Sequence, residues 1–163
     1  MEKLMLHARG LLTAVIAFAA ALAGVLILRP PNWIAYAPVI LAAGLATLLH
    51  YILARKNLRS AQLIVENTII TIQPAVICGQ KNFGVYVSGF GILLGTKIIE
   101  FNRNGIWLEN IEIGQDYISF GYGARGEELQ NTRLLYSKPG DDALAGIIEN
   151  FRKETGVVPV IAG

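Results

Sequence analysis

Between Leu11 and Ala54 the chain carries two long apolar runs broken only by Arg29-Pro30-Pro31-Asn32. No other feature limits the fold as much. Leu11 to Leu28 has no charged residue and, as a helix, reaches roughly 27 Å, about the hydrocarbon thickness of a bilayer. Each Leu, Ile, Val or Phe at mid-membrane favours insertion by roughly 0.3 to 0.6 kcal/mol, so the run outweighs the small costs of Thr13 and Gly24. The second run, Trp33 to Ala54, places Trp33 and Tyr36 at one end and His50 and Tyr51 at the other, an aromatic anchor for each interface. Pro38 lies near its start, where a missing N–H costs little. The sequence therefore predicts a transmembrane helical hairpin over residues 1–56, with spans at about 11–28 and 33–54, whose partners are membrane lipids.

Lys3 and Arg9 precede the first span, Arg55, Lys56 and Arg59 follow the second, and Arg29 alone lies between them. This distribution predicts an integral protein of the cell membrane with both termini cytoplasmic. Trp33, Tyr36, Tyr51, Arg55, Lys56 and Arg59 are the expected membrane-interface residues. Ala14, Ala17, Ala21 and Gly24 form a small-residue stripe on the first helix, matched by Ala42, Ala43 and Ala46, which suits packing within the hairpin or self-association. Ala21-Leu22-Ala23 resembles a signal-peptide cleavage site, but the apolar run continues to Leu28 and a second span follows at once.

The hairpin accounts for much of the 53% hydrophobic content of the 163 residues. What remains, residues 57–163, suffices for one small domain. Of 14 Lys/Arg three precede Arg55, and of 12 Asp/Glu one does, leaving 11 of each from Arg55 onward. A neutral domain without a basic stripe gives no electrostatic basis for nucleic-acid binding. The single cysteine, Cys78, excludes an intrachain disulfide and a thiolate metal cluster, and reads as a small buried hydrophobe.

Asn57 to Gln62 reads as a juxtamembrane link and Leu63 to Ile72 as β, interrupted at Asn67 and stopped by Pro74. Val85-Tyr86-Val87 and Ile92-Leu93-Leu94 read as short strands around Ser88-Gly89-Phe90-Gly91; a loop dipping into the membrane surface through Phe83, Tyr86 and Phe90 is the alternative. Asn104-Gly105 between Ile98-Ile99-Glu100-Phe101 and Ile106-Trp107-Leu108 predicts a tight hairpin. Ile111 and Ile113 alternate with Asn110 and Glu112, and Ile118, Phe120 and Tyr122 with Tyr117, Ser119 and Gly121, as in half-buried antiparallel strands. A last strand covers 130–137. Leu144, Ile147, Ile148 and Phe151 then follow i, i+3, i+4, i+7, predicting a helix over 141–155, capped by Asp141 or Asp142 and stopped by Gly156. The apolar tail from Val157 either docks back or stays loose.

This order of strands and helix, carried by Thr96 to Phe101, Asn104 to Leu108, Arg133 to Tyr136 and Asp141 to Thr155, resembles a pleckstrin-homology-like (PH-like) roll. The arrangement is similar to small bacterial membrane proteins in which such a domain follows a two-helix hairpin. The resemblance implies an α+β fold, an antiparallel β-roll or barrel capped by one C-terminal helix, and a binding or scaffolding role. The basic phosphoinositide pocket of some PH domains has no counterpart, because no Lys/Arg pair flanks an early strand turn.

Gly121-Tyr122-Gly123-Ala124-Arg125-Gly126 matches G-x-G-x-x-G, yet Glu127 and Glu128 would face the phosphate and a strand follows, so a hairpin loop is expected. His7 and His50 lie outside the soluble domain, away from zinc-spaced ligands. Without a histidine in that domain, hydrolase chemistry lacks its base. Glu109, Glu112 and Asp116 read as solvated strand edges. No catalytic residue, cofactor or metal is expected, and the reading is non-enzymatic. The candidate binding surface is Tyr86, Phe90, Trp107 and Arg125, for a protein partner or a second copy. An accessory subunit of a larger membrane complex and an interfacial enzyme acting on lipid-linked substrates through acidic residues are the alternatives.

Overall fold

A computed structural model describes residues 2–73, 84–103 and 105–162. The expectations for Pro74, Cys78, Phe83 and Asn104 lie outside the described residues. The chain forms two compact units, Met1–Arg59 and Ser60–Gly163.

The first unit contains α1 (Glu2–Leu28) and most of α2 (Trp33–Glu66). Both are long and apolar enough to cross a membrane, and the apolar window of each has none of its residues buried. The break between them is sharp because Arg29 and Asn32 adopt left-handed backbone, with φ of 43° and 65°. Trp33 N–H then donates to the Pro30 carbonyl at 3.0 Å as α2 begins. Pro38 lies inside α2, past its opening turn.

The expected link at 57–62 and the strand expected from Leu63 are both corrected: α2 runs unbroken to Glu66. Adding a turn to an existing helix costs far less than nucleating new structure, and no Gly or Pro intervenes. Ser60, Ala61 and Ile64 share one helical face and are buried in the second unit. Asn67 ends the helix, its Nδ2 donating to the Leu63 carbonyl at 2.9 Å, and Thr68 Oγ1 donates to that of Ile64. Only the second half of the expected strand is β, as β1 (Ile70–Ile72).

The second unit is α+β, with two four-stranded sheets and a C-terminal helix. In the first sheet β1, β2 (Val85–Ser88), β3 (Gly91–Leu94) and β4 (Lys97–Glu100) form an antiparallel meander. In the second, β5 (Ile106–Ile113), β6 (Tyr117–Ala124) and β7 (Gln130–Leu135) form another, and β8 (Val160–Ile161) lies on the free edge of β5. The described residues form no closed barrel, so the barrel half of the roll-or-barrel expectation is corrected. Nor is every pair antiparallel: the C-terminal tail docks as β8, parallel to β5.

The hairpin expected around Asn104-Gly105 is found only as a single bridge, between Arg103 and Ile106. Arg103 and Ile106 exchange backbone hydrogen bonds of 3.2 and 3.0 Å, as a tight turn requires, but β4 and β5 do not pair further. Asn102, at φ 56°, turns the strand aside, and Phe101 N–H donates instead to the Phe90 carbonyl. The chain thus passes from one sheet to the other at this corner.

Phe101, Phe120 and Phe151 are fully buried, and their rings form a chain with 6.1 Å between successive centroids. They link the corner, the second sheet and α3 (Asp141–Thr155), whose Leu144 is also buried. Gly140, not an aspartate, is the N-cap of α3; it makes no side-chain capping bond, so Asp141 and Asp142 act only as first-turn charges complementing the dipole. Gly156 closes the helix in left-handed conformation. Glu154 accepts the Gly89 N–H at 3.2 Å, tying the last turn of α3 to the β2–β3 turn.

Candidate functional site

On β5, Leu108, Ile111 and Ile113 all face the core, although 108 and 111 are an odd number apart. A strict alternation forbids this. The register shift between Leu108 and Asn110 resolves it: Glu109 is the extra residue of a β-bulge, which restores the inward phase beyond it. Trp107, Asn110 and Glu112 consequently share the outward face.

Register places the rest of that face. Trp107 lies opposite Gly123, Asn110 opposite Gly121, and Glu112 opposite Ser119; across β6, Gly121 meets Asn131, Ser119 meets Arg133 and Tyr117 meets Leu135. Small residues therefore run along the middle strand. A Cβ at Gly121 would stand 2.4 Å from Asn110 Oδ1, so the Asn110 amide lies directly over that glycine.

An aromatic ring stacked with arginine stands at each end. Arg125 Cζ is 5.0 Å from the Trp107 ring centroid, and Arg133 Cζ is 3.4 Å from that of Tyr117. Neither guanidinium forms an ion pair among the described residues. Trp107 is 40% exposed and Leu135 82%. The Tyr117 hydroxyl donates to Glu112, and this bond, reinforced by burial and the Glu112 charge, raises the phenol above its usual range against the opposing pull of Arg133. Burial alone raises Tyr136. On α3, the hydrogen bond from Arg152 and then Lys153 hold the Glu149 carboxyl below its usual range.

Of the four candidate binding residues, Trp107 and Arg125 come together on this face. Tyr86 is on β2 of the other sheet, and Phe90, 47% exposed, is in the β2–β3 turn. Tyr117 and Arg133 belong to the candidate face although sequence reasoning did not single them out; sixteen positions apart, they meet only through the β6–β7 register. The six expected interface residues lie on α2, where Arg55 Cζ is 5.9 Å from the Tyr51 ring. Gly121 to Gly126 ends β6 and turns toward β7, a hairpin connection followed directly by a strand.

A shallow apolar groove of about 170 Å³ lies between α1 and α2, lined by Val15, Phe18, Leu22, Gly44 and Leu48 among others. Among the described residues, no three His, Cys, Asp or Glu side chains converge to hold a metal ion. Comparison with protein-family models, with curated proteins and with solved structures yields no match to this chain.

Proposed function

We propose that this chain is a non-catalytic membrane protein in which the helical hairpin anchors a PH-like module that binds protein through the outward face of β5, β6 and β7. Two meanders followed by one helix support the PH-like reading. The anchoring reading rests on unburied side chains: Ile16, Ile27, Leu28, Ile34 and Val39 are each at least 60% exposed, a surface suited to lipid and costly in water. The bias of basic residues favours both termini on the cytoplasmic side.

The observation that carries the binding reading is the pair of arginine-stacked aromatics. Trp, Tyr and Arg are the residues over-represented among interface hot spots, because each combines apolar area with polar reach. Here they stand paired on a sheet face with small residues between them. A photo-crosslinking amino acid placed at Trp107 or Leu135 in the full chain, in its native membrane, should yield a protein adduct; the same group at Asp142 on α3 serves as control. No adduct from either face position refutes the assignment.

A further inference from the structure

We infer that the partner of this face is a second copy of the same chain, an inference that rests on the protein-binding reading above. A two-fold interface brings a patch against itself, so the patch must contain both members of each complementary pair. This one does. Arg125 and Arg133 stack on aromatic rings without an ion pair, while Glu109, Glu127 and Glu128 are exposed and have no side-chain partner among the described residues.

The charges are also suitably distributed. Arg133, Tyr117 and Glu112 occupy one end of the face, whereas Trp107, Arg125 and the Glu127-Glu128 turn occupy the other. A two-fold axis lying in the interface and crossing the strands along the Asn131-Gly121-Asn110 row reverses the strand direction of the second copy. It sets Arg133 against the Glu127-Glu128 turn of the other copy, and Arg125 against the end that holds Glu112. Along the axis itself asparagine amides meet their own images, and an amide both donates and accepts. Confinement of two identically oriented chains to one membrane raises their effective concentration, as a linker would.

The test uses two full-length variants in lipid nanodiscs or liposomes at fixed protein density, with oligomer size read by single-molecule photobleaching. R125E/R133E makes the face acidic, and E112R/E127R/E128R makes it basic. Wild type should be dimeric, each variant alone should lose at least tenfold of its dimer, and the two together should recover a mixed dimer. L135D, at a position 82% exposed, should also weaken pairing without unfolding the domain. Monomeric wild type overturns the inference, as does a dimer that R125E/R133E leaves intact. If crosslinks from Trp107 reach only a protein of another mass, self-pairing falls while the protein-binding reading stands; if they reach nothing, both fall.

Discussion

Arg103 Nη1 donates to Ser60 Oγ at 2.9 Å, joining the last turns of α2 to the corner between the two sheets. The same guanidinium lies 3.4 Å from Glu100. Ser60 is 4% exposed, so its hydroxyl sits where added volume has no outlet. Ser60→Ala should cost about 1.5 to 3 kcal/mol, the worth of one hydrogen bond to a charged donor. Ser60→Leu should cost about 1 to 3 kcal/mol by overpacking. Denaturant unfolding of both variants in detergent, followed by near-ultraviolet circular dichroism, measures the two effects.

The helical path of residues 57–66 predicts an unusual sensitivity to proline. Gln62 is exposed and its side chain has no packing role, so a loop or strand end would accept Gln62→Pro readily. Inside α2 the ring removes a backbone hydrogen bond and crowds the preceding turn, a penalty of about 3 kcal/mol. Gln62→Ala should be neutral. Equal stability of the two variants would contradict the helix.

Two glycines with positive φ should respond differently to alanine. Gly91, at φ 149°, would bring a Cβ to 2.1 Å from the Ile99 carbonyl oxygen, a backbone atom that cannot move aside without opening the β3–β4 ladder. Gly126, at φ 85° in the β6–β7 turn, has nothing within 4 Å. Gly126→Ala should cost about 1 to 2 kcal/mol, the strain of a left-handed residue. Gly91→Ala adds a clash to that strain and should exceed it. Thermal melts of the two variants side by side decide the order.

Tyr117 links the candidate face to alkaline pH. Its folded-state pKa is raised above 10.0, chiefly by the hydrogen bond to Glu112. The folded protein therefore holds this proton more tightly than the unfolded chain does, and stability drawn from it is complete below pH 10 and lost as pH rises through the folded-state value. Glu112→Gln should move one tyrosine titration, followed by carbon-13 NMR of labelled rings, back toward the ordinary range. Tyr117→Phe should remove that titration altogether. An unchanged set of titrations in Glu112→Gln would show that the carboxylate is not the cause.

Local patterns in the sequence carried the parts of the fold that depend on neighbours along the chain. Uncharged runs the length of a bilayer dictated two long helices, and the spacing of Leu144, Ile147, Ile148 and Phe151 dictated the amphipathic α3 with its glycine stop. Alternation from Tyr117 to Tyr122 marked β6 and its buried side. Trp107 and Arg125 were recognisable as residues suited to binding, although nothing local placed them in contact.

Tertiary structure decided the rest, where two local readings were nearly equal or where the contact joined distant residues. Leu63-Ile64-Val65 fits a strand or a helical turn equally well, and burial of Ser60, Ala61 and Ile64 on one face selected the helix. Asn102 bent the chain just after β4, so that β4 and β5 meet only at the Arg103–Ile106 bridge and join different sheets, and a single bulge at Glu109 set which side of β5 faces outward. The pairing of Tyr117 with Arg133, and the docking of the tail on β5, follow from strand register, which is fixed by hydrogen bonds between segments remote in sequence. Side-chain periodicity specifies that a strand has two faces; only its neighbours specify what stands beside each residue on them.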